Sequence, residues 1–270
     1  MSRALLSLLA CMPAALALGG IAAPASAAPA VTLRAQLRPD RPGAATAVSL
    51  GFQIAPGPGG ELPPLGDFAL RLPPGMSFAA STLGLATCSA ARLLSAGAAG
   101  CPHESLIGFG SARVRVPFGA QVVREAAPVS IFMAQPVGQR TTALFYFDGR
   151  RPVIAPLVLR SEVVTPRGSA DSVLRTPIPP IAGPPDGPEG TMLALRATIG
   201  PSRLRYSKRV GRRVVAYRPR GIAIPRRCPR RGFVFAAEFR FRDGSRTNAA
   251  TAVPCPGSAG ARARRRSKRG

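Results

Sequence analysis

Residues 101–105, Cys101-Pro102-His103-Glu104-Ser105, set the only histidine of the chain beside an acid and a hydroxyl. A nucleophilic hydrolase needs such groups, with the serine hydrogen-bonded to a base and the base oriented by a third group. Neighbours on an extended chain point to opposite faces, so His103 and Glu104 do not face each other. His103 and Ser105 share a face, but no G-x-S-x-G elbow surrounds the serine. A solvent-facing loop histidine is the plainer reading, and a secreted hydrolase using His103 is the minor alternative. The twelve carboxylates are scattered. Their closest pair, Asp186 and Glu189, lies in a Pro/Gly-rich stretch rather than on the rigid scaffold a glycosidase needs. Phosphate loops, dinucleotide fingerprints and calcium loops are absent. No catalytic residue and no cofactor is expected.

The cysteines offer a second chemistry. Cys11 falls in the N-terminal apolar stretch, which leaves Cys88, Cys101, Cys228 and Cys255. A zinc site wants close ligand pairs such as C-x-x-C, and none is present. An even count in an exported chain reads as disulfides. Three pairings are possible; the nearest-neighbour one, Cys88–Cys101 with Cys228–Cys255, is expected.

Charge is the third candidate. The chain carries 37 basic and 12 acidic residues, a formal +25. From Pro201 to Gly232 there are twelve basic residues and no acid, Arg218 and Arg220 among them. The candidate anion-binding set is Arg203, Arg205, Lys208, Arg209, Arg212, Arg213, Arg226, Arg227, Arg230 and Arg231. In Arg203-Leu204-Arg205-Tyr206, alternation would set both guanidiniums on one strand face, and a turn near Arg209–Gly211 would return the chain as a hairpin. A row of arginines suits phosphates or carboxylates repeated along a polymer. Against this, Lys occurs only at Lys208 and Lys268, beside 35 Arg. That skew suggests a GC-rich genome, so part of the charge is attributable to codon bias and a solvated surface.

These residues need a compartment and a scaffold. Arg3, an apolar run from Ala4 to Ala23 and Ala25-Ser26-Ala27 have the layout of a secretory signal, expected over 1–28. An uncleaved anchor and a lipoprotein site at Cys11 are the alternatives. No second apolar span follows, so the mature chain is expected outside the cytoplasm, in the envelope or medium. Strand patterns dominate it. Residues 31–37 alternate, as do Val48, Leu50, Phe52 and Ile54, then Phe68, Leu70 and Leu72, and Ala112, Val114 and Val116. Residues 129–134, 142–147 and 153–159 are continuously apolar and read as strands covered on both faces, with Pro156 marking an edge or bend. Residues 191–199 alternate again. Ser89–Ala96 reads as a turn or two of helix. In 233–253, Phe233, Phe235, Phe239 and Phe241 share a face. A bulge at Asp243-Gly244 would bring Thr247, Ala249, Thr251 and Val253 to that face. Pro229–Gly232 should fold back as a turn with Pro229 at its first central position.

The expected fold is all-β: an antiparallel immunoglobulin-like sandwich over 29–258, stapled by two disulfides and with little helix. Residues 176–190 form a Pro/Gly connector that could divide it, and 259–270 is a disordered basic tail.

Ala86-Thr87-Cys88-Ser89, Cys101 to Gly110, and the block from Cys228-Pro229 to Cys255-Pro256 resemble a pattern in exported β-rich proteins of high-GC actinobacteria that have paired Cys-Pro motifs. The resemblance implies export, β structure and paired cysteines, and it brings no catalytic residues. The expected function is non-enzymatic, an exported envelope or extracellular protein whose basic hairpin and tail bind anionic polymers or lipid head groups. The alternative is a structural or adhesive module with protein partners and incidental charge. Physiological nucleic-acid binding is not expected, since the basic stretch interleaves only Tyr206 and Tyr217 for base stacking. No membrane span after signal cleavage is expected, and the oligomeric state stays open.

Overall fold

The computed structural model describes residues 28–256 apart from 58–59, 61, 79–80, 119–120, 139, 151–154, 166–170, 182 and 184–186. The expected signal peptide, except Ala28, and the whole expected tail lie outside the described residues. The alternating N-terminal segments form β1 (Ala30–Arg38), β2 (Ala45–Ala55) and β3 (Leu65–Arg71). Ser89 caps α1 (Ala90–Ala96), its hydroxyl accepting from the Arg92 N–H. The apolar middle of the chain supplies β4 (Leu106–Phe118), β5 (Gln121–Met133), β6 (Thr141–Gly149), β7 (Ala155–Val164) and β8 (Val173–Pro177). After the connector come β9 (Thr191–Ile199), the small pair β10 (Tyr206–Val210) and β11 (Arg213–Tyr217), then β12 (Ile222–Ala223), β13 (Phe233–Phe241) and β14 (Arg246–Val253).

The fold is antiparallel β throughout with two disulfides, as expected, but the two-sheet sandwich is only roughly matched. One continuous sheet runs β1-β2-β9-β4-β5-β6-β7-β8-β3-β13-β14, with β12 added on β2. It curls like a barrel until β14 lies beside β1, where the Thr247 hydroxyl donates to the Pro29 carbonyl at 2.7 Å. Strands on both sides of the 176–190 connector belong to this sheet. A sandwich and a barrel both bury one face of each strand, so period-two alternation suits either. Inward positions are mostly apolar, with Glu125, Ser161 and Thr176 as buried polar exceptions. Outward ones carry Arg34, Gln53, Arg113, Arg160, Arg175 and Arg240, all exposed. Charged side chains at these outward positions differ from the apolar outer band of a lipid-embedded barrel. No helix among the described residues is long and apolar enough to cross a membrane.

The continuous runs are covered on both faces for a visible reason. Val129, Ile131, Phe145 and Phe147 face the main core, while Phe132, Leu144 and Tyr146 face outward under Leu93 of α1. At Gly110 of β4 a side chain would run into the Arg196 carbonyl of β9, so glycine permits the close approach of these strands. The β13–β14 register pairs Phe239 with Thr247, Phe235 with Thr251 and Phe233 with Val253, as the bulge predicts.

Candidate functional site

One end of the barrel, here called the upper end, is where β2, β4, β6, β8 and β13 begin and their partners finish. The basic segment is laid out across it. Beyond β9 the Leu204 N–H donates to the Pro201 carbonyl at 3.3 Å, and this turn holds Arg203 at φ 66. Leu204 and Tyr206 are buried while Arg203 and Arg205 are exposed. The inside–outside alternation is therefore as expected, but regular strand begins only at Tyr206. The expected row of guanidiniums along one strand does not form, because a turn occupies its first half.

The hairpin itself is present. β10 and β11 pair only with each other, and Val210 opposite Arg213 closes a two-residue loop of Gly211 and Arg212. Gly211 takes φ 59, which a tight hairpin loop of this kind demands. Lys208 and Arg209, being neighbours, lie on opposite faces; their partners are Val215 and Val214. Residues 207–216 are all exposed. Val214 is 67% exposed, Val210 55% and Val215 43%, an unusual apolar display on a basic hairpin.

Its base is fixed by aromatic contacts. The Tyr206 hydroxyl donates to the Leu106 carbonyl. The rings of Tyr206 and Tyr217 meet edge-on at 5.6 Å, and His103 meets Tyr206 at 6.2 Å. Lys208 Nζ lies 5.5 Å from the centre of the Tyr217 ring. Burial pushes the Tyr206 phenol up to about 12. Tyr217 is raised as well, first by burial and then by the Glu104 carboxylate.

The remaining basic residues reach the same end by separate routes. The Pro225 carbonyl accepts from the Gly43 N–H in the β1–β2 turn at 2.9 Å, which brings Arg226 and Arg227 there. The Gly232 N–H donates to the Pro229 carbonyl at 2.9 Å, closing the turn ahead of β13. Pro229 is thus the first residue of the turn, not its first central one: it lacks an N–H, and its carbonyl is the group used. Arg230 and Arg231 hold the central places and are exposed. All ten candidate residues are exposed at this end. Among the described residues none of the ten forms an ion pair. Asp40 and Glu104 are acids at the same end.

The cysteines pair as expected. Cys88–Cys101, with Cα atoms 5.5 Å apart, brackets α1, and Cys228–Cys255, at 6.1 Å, ties the approach to β13 to the exit from β14. His103, Glu104 and Ser105 form a single 3-10 turn, and the buried Ser105 hydroxyl donates to the Pro102 carbonyl at 2.5 Å. No group of three or more potential metal ligands occurs among the described residues.

Sequence reading missed a groove on the outer wall. Register aligns Arg34 with Gly51, Gly51 with Arg196 and Arg196 with Ser111 across four strands. Arg113 lies opposite Ala194 one step along. Gly51 has no side chain, so Arg34 and Arg196 border a shallow cavity of about 850 Å³ with a mixed polar and apolar lining. The alternation of β1, β4 and β9 marks each arginine as outward, but their alignment exists only through strand order. No family model, curated protein or solved structure matches this chain.

Proposed function

We propose that this is a non-enzymatic exported protein that docks on the anionic surface of a cell envelope through the upper end of its barrel, with the β10–β11 hairpin leading. The observation that carries this reading is the composition of the hairpin tip. Lys208, Arg209, Arg212 and Arg213 surround Val210 and Val214, all of them exposed. Cationic side chains attract lipid phosphates, and an exposed apolar tip gains by entering the head-group boundary. A soluble polyanion would use the arginines and leave the valines in water. The tip therefore favours lipid head groups over a free polymer. Two disulfides fit an oxidising compartment outside the cytoplasm. The adhesive and hydrolase alternatives draw no comparable support.

The test is co-sedimentation of the mature chain with vesicles of phosphatidylglycerol and phosphatidylcholine. Binding should require the anionic lipid and weaken as salt rises. Each basic side chain near such a surface contributes about 1 kcal/mol, roughly fivefold in affinity. Replacing Arg209, Arg212 and Arg213 together by Glu should abolish sedimentation, and Val210→Ser with Val214→Ser should weaken it without altering the salt slope. Equal binding to neutral vesicles would sink the proposal. Binding of an acidic polysaccharide that is indifferent to the valines would move the partner to a polymer.

A further inference from the structure

An eight-stranded barrel has an interior just wide enough for side chains to fill, and larger barrels enclose ligand space. Eleven strands form this wall. Its lower half is filled. Phe52 meets Phe68 at 5.4 Å and Phe239 at 5.1 Å, and Phe68 stacks on Phe239 at 6.1 Å. Buried Met192, Phe147 and Phe241 lie below them.

Above this aromatic floor the inward positions on three strands fall to Ala143, Ala197 and Ala237. The side chains leave a cavity of about 460 Å³, within the roughly 300–1,000 Å³ of small-molecule sites. Leu174 of β8 and Val163 of β7 line it and are only half-buried, although their register turns them inward. Met76 and Phe78 cover it from the segment that follows β3. That segment is held by mutual hydrogen bonds of 2.9 Å between the Ser77 and Ala223 main chains.

The lining defines the occupant. No ionisable side chain lines the cavity among the described residues. A charge inside would lose its hydration without compensation, and an apolar cavity favours hydrocarbon over water. Polar groups occur at the rim, where Thr141, Thr165 and Ser172 carry hydroxyls and the last two are joined at 2.9 Å. We propose that the upper half of the lumen is a binding site for one uncharged hydrocarbon chain, whose neutral polar end meets the hydroxyls of Thr141, Thr165 and Ser172. This site is independent of the surface reading, because its walls share no residue with the basic hairpin.

The probe is N-phenyl-1-naphthylamine, titrated into the mature chain without vesicles. Its fluorescence should rise and shift to the blue with saturation at one probe per chain, and a long-chain alcohol should displace it. Ala143→Phe and Ala197→Phe fill the cavity and should weaken binding about tenfold or more while leaving the circular dichroism spectrum intact. The chain has no tryptophan, so Leu50→Trp places a lone indole in the wall, and its emission should pass to the probe at the same midpoint. Non-saturating uptake by the wild-type chain, or wild-type affinity in folded Phe variants, would overturn the site. If the Phe variants do not fold, the indole decides: energy transfer that saturates supports the site, and its absence refutes it.

Discussion

Tyr206 is fully buried, and its ring and hydroxyl face three parts of the chain: Leu106 at the start of β4, Tyr217 across the hairpin, and His103. It anchors the hairpin to the barrel, and the sole histidine serves there as a packing partner. Burial raises all three tyrosines of the chain, Tyr146, Tyr206 and Tyr217, with Asp148 adding to the effect at Tyr146. The sign follows from the ionised form being the one disfavoured. An unfolded tyrosine ionises at about pH 10, whereas Tyr206 in the folded chain holds its proton to about 12. This contribution to stability is complete below the unfolded value and is lost as pH rises from there through the folded one. The share of tyrosinate absorbance that belongs to Tyr206 should therefore appear together with unfolding and not before it. Tyr206→Phe should cost about 1 kcal/mol at neutral pH, through the lost hydrogen bond, and should flatten the alkaline decline in melting temperature. A variant that declines as steeply as the wild type would mean that Tyr206 does not couple the hairpin base to pH.

Among the elements, the β13–β14 hairpin was legible and the β10–β11 hairpin only partly so. In the first, the phenylalanine face had to meet an apolar face, and only a bulge at Asp243-Gly244 achieves that; Gly244 takes φ 85 there. In the second, exposure alternated as the sequence implies, but the Pro201–Leu204 turn took the residues expected to begin the strand. Turn geometry at Arg203 was illegible because a left-handed φ is rare outside glycine. The disulfides make separable contributions at this scale. Loop entropy gives about 3 kcal/mol for Cys88–Cys101 and about 3.5 kcal/mol for Cys228–Cys255, from separations of 13 and 27 residues. Urea unfolding of the two paired Cys→Ser variants should show losses of that order. Loss of Cys228–Cys255 should also release the Pro229–Gly232 turn and raise amide exchange there, while the Cys88–Cys101 variant leaves that turn protected. Equal exchange in both variants would mean the turn stands without its staple.

At the scale of the whole molecule, period-two patterns revealed which side of each strand faces the core, and the apolar runs 129–134 and 142–147 revealed that a second layer covers some of them. Strand order was hidden. β9 enters between β2 and β4, and β1 comes to lie beside β14, through contacts far apart in sequence. Everything that depends on that order was hidden with it: the barrel-like closure, the lumen above the Phe52, Phe68 and Phe239 floor, and the Arg34–Arg196 groove. The basic end was half visible, since the arginines are contiguous in sequence while their placement around one barrel mouth is not. The central claim is that the hairpin tip enters an anionic lipid surface. With no native tryptophan, Val214→Trp puts a single indole at the most exposed of the tip valines. Its emission, read on adding phosphatidylglycerol vesicles that contain brominated lipid, should shift to the blue and be quenched, and high salt should reverse both changes. Vesicle binding with an unshifted, unquenched indole would contradict the account, because the chain would then reach the membrane by another face.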